Sequence, residues 1–223
     1  MFLFFCIPAF TVADYKSQAG QDRFVNEHFF HNRSSGFFLD IGAHDGQSFS
    51  NTWFFEKDLG WSGICFEPLP HLFKQLRECR NCTCINACVS DVHGSLPFLH
   101  VDSCDEMLSG LCATFNEHKL NAVMADIAHF GGQCKVLQLP SVRLDDILKA
   151  HNVTHIDFLS LDVEGHELEV LKSIDFSQVI IDVITVENDY SNEELRDLLR
   201  SNGFVLYGHV HVDDIFVRNG FIF

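Results

Sequence analysis

Positive charge is scarce in this chain: fifteen Lys and Arg stand against thirty-one Asp and Glu, a formal charge of −16. Nucleic-acid and anionic-membrane surfaces need clustered Lys and Arg, so neither partner is expected. No low-complexity linker, like-charge run or internal repeat divides the 223 residues, which fits a single domain. The apolar start, Met1 to Ala13, is too short for a bilayer span of about 20 residues. It also lacks the positive n-region of a secretory signal. Residues 1–16 are therefore set apart from a domain at 17–223, as a signal or anchor remnant, a truncated start or a packed terminal element. Two nucleotide signatures are missing as well. There is no P-loop lysine and no G-x-G-x-x-G fingerprint, which weakens the reading as a nicotinamide-dependent oxidoreductase. Tyrosine is rare, three against twenty-three Phe, which implies an aromatic-rich core.

The run Phe37-Phe-Leu-Asp-Ile-Gly-Ala-His-Asp-Gly46 carries the first positive signal. It opens as a short buried strand and closes in an acid-led turn with glycines at Gly42 and Gly46, positions where a side chain would block the backbone. A helix is expected from Ser48 to Leu59. A second strand, Ile64 to Phe66, ends at Glu67-Pro68. In doubly wound sheets ligands sit at the carboxyl ends of strands, and an acid after the second strand accepts the ribose hydroxyls of a nucleoside. Pro68 stiffens the turn that presents it.

Further along, helices are expected at Tyr15–Phe30, with Ser17 or Asp22 as cap or ligand contact, and at His71–Cys79. A strand is expected at Cys84–Ser90, ending in the polar pair Ser90-Asp91. On one strand Cys84 and Cys88 would face the same layer. With no second matching pair after Cys79-x-x-Cys82, zinc is disfavoured. Residues 102–134 read as an irregular insertion containing a helix at Asn116–His129, placed where a substrate lid belongs. The second dense stretch is Ile156-Asp-Phe-Leu-Ser-Leu-Asp-Val-Glu-Gly-His-Glu-Leu-Glu169. Here a buried strand delivers Asp162, Glu164, His166 and Glu167 into one turn, where a carboxylate or imidazole can act as general base. A strand to Val186 then leads to Glu187-Asn188, and Asp162, Glu187 and Asn188 form a weak oxygen-ligand set for a divalent cation. A closing hairpin completes the expected α/β fold: a Rossmann-like seven-stranded sheet, mostly parallel with an antiparallel C-terminal hairpin, and helices on both faces.

These motifs, in order from Ser17-Gln18 through Glu67-Pro68 to Glu167, resemble the FkbM family of S-adenosylmethionine-dependent methyltransferases. The resemblance implies S-adenosylmethionine as cofactor, held by Asp40, Gly42, His44, Gly46, Glu67, Pro68, Ser90 and Asp91. It also implies methyl transfer to a hydroxyl of a small molecule or glycan, with Asp162, Glu164 and His166 toward the acceptor. The rival expectation is a non-catalytic member of the family acting as a binding or trafficking protein. Three N-x-S/T sequons, at Asn32, Asn81 and Asn152, weigh slightly for a secretory over a cytoplasmic location. Oligomeric state and disulfide pairing are left open.

Overall fold

A computed structural model describes residues 13–104, 106–189 and 191–222. Most of the expected N-terminal segment, residues 1–12, lies outside them. The chain enters through α1 (Gln21–Val25), continued by a wider π turn at Asn26–Phe30, and drops into β1 (Phe37–Ile41). Then come α2 (Trp53–Lys57), β2 (Ser62–Phe66), α3 (Pro70–Cys79) and β3 (Thr83–Ile85). A second module follows: β4 (Cys88–Val89), β5 (Gly94–Asp102), β6 (Gly110–Leu111), α4 (Glu117–Phe130) and β7 (Gln133–Val142). The chain returns through α5 (Leu144–Ala150), β8 (His155–Leu161), α6 (Glu167–Lys172), β9 (Ile180–Glu187) and α7 (Glu193–Ser201), and closes with β10 (Phe204–Val210) and β11 (Asp213–Arg218).

The main sheet has seven strands in the order β10-β11-β9-β8-β1-β2-β3. β3, β2, β1, β8 and β9 run parallel, and β11 pairs antiparallel with both β9 and β10. Alternate residues feed two apolar layers, as the two-residue period of a strand requires. On β1, Leu39 and Ile41 join α5, α6 and α7 through Leu144, Leu171 and Leu199. Phe38 faces the opposite layer with Phe30, Phe54, Phe55, Trp61 and Phe158. The expected aromatic core is this second layer, where Phe55 lies 4.8 Å from Trp61 and 5.2 Å from Phe158, ring centre to ring centre.

Three expectations need correction. The helix placed at 48–59 begins only at Trp53. Asp45 accepts the Gln47 and Ser48 N–H groups at 2.8 and 2.7 Å, and such a turn competes with a helical start. Phe49, at φ 57°, then bridges to Ser17 in the entry loop. The helix placed at 15–30 begins at Gln21 because the Asp22 carboxylate reaches back to the Lys16 and Ser17 N–H groups and the Ser17 hydroxyl. The strand placed at 84–90 is two strands in different sheets. It breaks at Asn86, whose amide donates to the Glu67 and Pro68 carbonyls. Cys84 therefore packs against the aromatic layer and Cys88 against a third cluster with Leu69, Leu72, Phe98, Leu111 and Leu139.

The region read as irregular, 102–134, is bracketed by two long strands. β5 and β7 pair antiparallel from Gly94↔Ser141 to Asp102↔Gln133, with β6 and β4 at the edges, forming a separate four-stranded sheet. The expected helix within it is present as α4, capped by Asn116, which accepts the Lys119 N–H at 2.9 Å.

Candidate active site

The carboxyl ends of β1, β2 and β8 and the inner wall of the second sheet enclose one cavity. It holds about 740 Å³ of empty space, counting the open mouth. Seven of the expected residues line it: Gly42, His44, Glu67, Pro68, Asp162, Glu164 and His166. The far wall comes from the inserted module through Phe98, Glu106 and Leu111.

Gly42, at φ 95°, sits where a Cβ would come 1.8 Å from the Asp162 carbonyl oxygen. Only glycine lets the β1 turn close this tightly on β8. The next peptide units are anchored too, Gly42 and Ala43 N–H both donating to the Phe66 carbonyl at 3.1 and 2.9 Å. The turn thus delivers the His44 N–H to Glu67 Oε2 at 3.0 Å, while Leu69 N–H meets Oε1 at 2.8 Å. Glu67 is held rigidly at the end of β2, and burial pushes its pKa up to about 8 against these two donors. The His44 ring borders the cavity with both nitrogens buried and unbonded.

Asp40 and Gly46 lie behind this wall. Asp40 accepts the Thr52 hydroxyl at 2.5 Å, and Arg80 Nη1 lies 3.9 Å away. Arg80 is buried and also donates to Glu56 at 2.5 Å, the Gly46 carbonyl at 3.1 Å and Thr52 Oγ1 at 2.9 Å. Burial raises the Asp40 pKa, with Arg80 and Thr52 opposing. This network stitches the glycine turn to the 46–52 loop, so Asp40 holds the turn's shape. A Cβ on Gly46 would strike Leu76 and Cys79, which makes it a packing glycine against α3. Nothing in the sequence singles out Arg80 or Glu56, which meet only through the fold.

Ser90 and Asp91 also stand back from the cavity and engage its edge. Ser90 Oγ donates to Asp91 at 3.1 Å and lies 2.9 Å from His166 Nε2. With its single hydrogen directed at the carboxylate, Ser90 accepts from Nε2–H, which leaves Nδ1 of a neutral imidazole with its lone pair. Burial lowers the His166 pKa below its ordinary 6.5, keeping the ring neutral at pH 7. Glu164, at φ 61°, is fixed from the inserted module, Lys119 Nζ donating to its carboxylate at 2.6 Å and its carbonyl at 2.7 Å.

On the other side of the Glu164–His166 turn lies a second cleft, bordered by His118 and Lys119 of α4 and by Glu167, Glu187, Asn188 and Asp189. Glu164 and His166 line both spaces. Of the expected cation ligands, Asp162 and Glu187 do come together, with Glu167 as the third member; their oxygens lie within 4.8 Å of one another. Asn188 is committed elsewhere: its amide donates to Asp214 at 2.8 Å and accepts the Asn192 N–H at 2.6 Å. Burial and then neighbouring carboxylates raise the Asp162 pKa well above normal and push Glu187 up to about 11. The Asp162–Glu187 pair therefore holds a proton at neutral pH.

A parallel sheet with an antiparallel closing hairpin, a glycine turn after β1 and an acid after β2 define the Rossmann-like methyltransferase fold. The chain belongs to the FkbM methyltransferase family: the family's "Methyltransferase FkbM domain" model matches residues 40–206. Among solved structures it is similar to an FkbM methyltransferase from Methylobacillus flagellatus, at 12% identity and a TM-score of 0.46, covering 83% of this chain and 44% of that one. It thus spans less than half of that protein's length. It is also similar to Aeropyrum pernix fibrillarin, solved with bound S-adenosyl-L-methionine, at 13% identity and a TM-score of 0.48, covering 92% of this chain and 75% of that one. A precorrin-6y C5,15-methyltransferase from Geobacter metallireducens matches at 11% identity and a TM-score of 0.45, covering 87% and 85%. No curated protein matches the chain. Among the described residues, no helix is long and apolar enough to cross a membrane.

Proposed function

We propose that this chain is an S-adenosylmethionine-dependent methyltransferase acting on a hydroxyl of a small molecule or glycan. The observation that carries the reading is the set of ionisable groups that lines the cavity. Its described lining holds the carboxyl groups of Glu67, Glu106, Asp162 and Glu164 and no Lys or Arg. A dinucleotide pyrophosphate would find no Lys or Arg counter-charge in that lining, whereas a ligand bearing a sulfonium and an ammonium group favours the ionised form of these carboxyl groups. The unbonded ring nitrogens of His44 add polar capacity in the wall. The residues therefore fit this cofactor.

When bound, S-adenosylmethionine supplies a methyl group on a positively charged sulfur. Glu67 accepts the two ribose hydroxyls at the end of β2. Gly42, His44 and Pro68 form the adjoining wall, Asp40 with Arg80 and Thr52 keeps the turn in shape, and Gly46 packs that turn on α3. Asp162 lines the same cavity and would face the methyl donor. The acceptor enters by the second cleft, where Glu164 and His166 stand at the junction of the two spaces. His166 Nδ1 would take the hydroxyl proton as the C–O bond forms and the S–CH3 bond breaks, with S-adenosylhomocysteine as leaving group, and Ser90 and Asp91 hold the ring in the tautomer that makes this possible. Much of the rate enhancement is positional, from holding donor and acceptor in line. Asp162, Glu167 and Glu187 would hold a divalent cation only after losing their shared proton, and the reaction as derived uses none.

Calorimetric titration with S-adenosylmethionine and S-adenosylhomocysteine, followed by a labelled-methyl screen over polyol and phenol acceptors, tests this. Saturable binding lost in Glu67→Ala is the expected result. A folded chain that binds neither nucleoside refutes the reading and points to the non-catalytic, binding member of the family.

A further inference from the structure

At the rim of the cavity, three side chains from separate elements converge on one point. His71 comes from the first turn of α3, His100 from β5, and Glu106 from the short helical turn Glu106–Leu108 of the inserted module. Glu106 Oε1 lies 2.7 Å from His71 Nε2 and 2.6 Å from His100 Nε2. All three ligand atoms fall within 4.8 Å of one another. His100 and Glu106 are largely enclosed, whereas the His71 side chain is 47% exposed and provides an entry path.

We infer that His71, His100 and Glu106 form a site for a borderline divalent transition ion such as zinc, which clamps the inserted module over the cavity. Two imidazoles and one carboxylate, with a fourth position open to water, is a ligand set such ions accept. At metal–ligand bonds of about 2.0–2.2 Å a tetrahedral ion holds its donors about 3.3 Å apart. Each Nε2–Oε1 contact must therefore open by roughly 0.7 Å, which small rotations of His71 and Glu106 supply. His100 Nδ1 is buried without a hydrogen-bond partner. Ligating imidazoles ordinarily donate from that second nitrogen, so the affinity falls below that of a dedicated structural site.

The position gives the ion its consequence. Leu72 of α3 and Phe98 of β5 line the same cavity, as do Glu106, Met107 and Ser109 of the inserted module. An ion bound here ties these three elements together at the cavity mouth. It also places positive charge beside Glu106, the carboxylate whose negative charge acts on Glu67. Only the coupling to nucleoside binding rests on the methyltransferase reading; ion binding itself does not.

The test is titration of the metal-free chain with Co²⁺ alone, followed by its visible d–d absorption, then displacement by Zn²⁺. One equivalent should bind with tetrahedral bands and no thiolate-to-cobalt charge transfer. His71→Ala, on the exposed side, and Glu106→Gln should each weaken binding at least tenfold while the far-ultraviolet circular dichroism is retained. The inference is overturned by a folded chain that binds no stoichiometric Co²⁺, or by thiolate bands tracing the ion to cysteine. Binding that survives both substitutions and is lost in Glu187→Gln overturns it equally. Because the readout is the cobalt spectrum, a failed nucleoside titration and a failed metal site are told apart.

Discussion

Nucleoside binding should expel a proton from Glu67. In the empty cavity burial holds its pKa near 8, with the charges of Glu106 and Asp40 adding to the rise and the Leu69 and His44 N–H groups opposing it. At pH 7 a carboxyl with that pKa is roughly nine-tenths protonated. Two ribose hydroxyls donating to the carboxylate favour its ionised form, so binding releases close to one proton at pH 7. Affinity should rise with pH up to about 8 and level off above it. With a bound-state pKa below 6, the gain from pH 6 to pH 8 is roughly fiftyfold, or about 2 kcal/mol. Calorimetry with S-adenosylhomocysteine at pH 6, 7 and 8, each in two buffers of different ionisation enthalpy, reads affinity and proton release together. His166, Asp162 and Glu187 also titrate near the ligand, so Glu67→Gln is the control. It should bind weakly, with the pH slope reduced by the part that Glu67 contributes. Affinity independent of pH in the wild type, or a slope unchanged in Glu67→Gln, would refute the reasoning.

Raised carboxyl pKa values make the free chain lose stability as pH rises. Between an unfolded value of about 4.5 and a folded value near 8, the native state binds a proton that the unfolded state does not, so stability falls by up to about 1.4 kcal/mol per pH unit for Glu67. Asp213, raised by burial to about 6, adds to the slope below pH 6; thermal melts from pH 5 to 8 should show a falling Tm, with a shallower fall in Glu67→Gln. Arg80→Ala strands Asp40 and Glu56 in the interior and should cost about 3–5 kcal/mol, measured by urea unfolding at pH 7. His166→Ala should reduce turnover by about 10²–10⁴ and leave the calorimetric Kd for the nucleoside within a few-fold; full turnover would remove His166 as the base.

The parallel sheet was legible because its strands are short apolar runs ending in glycine or acid. Phe37–Ile41, Ile64–Phe66 and Ile156–Leu161 show that pattern directly, and the family motifs place their turns at one edge. The two helix starts were missed for a local reason: the carboxylates of Asp22 and Asp45 capture nearby N–H groups, which periodicity does not register. The second sheet was hidden by separation, since Leu96 pairs with Leu139 across a 42-residue excursion that includes α4. At the site, Glu67 and the 162–167 turn could be named because each ends a strand. The contact of Asp40 with Arg80, forty residues away, could not be named, because no spacing rule links them.

Lys119 and Glu164 tie the inserted module directly to the Glu164–His166 turn. The carboxylate lies at the junction of the two spaces among other acids, and burial together with Asp189 raises its pKa. Lys119 is the cation that opposes this, both through its charge and through its hydrogen bond. It comes from the first turn of α4, not from the parallel sheet. A buried carboxylate whose partner is removed is strongly unfavourable, so docking of α4 favours the ionised form of Glu164. The wall of the second cleft and the ionisation of Glu164 thus share one contact. On the proposed reading, this couples the shape of the acceptor cleft to the electrostatics around the methyl donor.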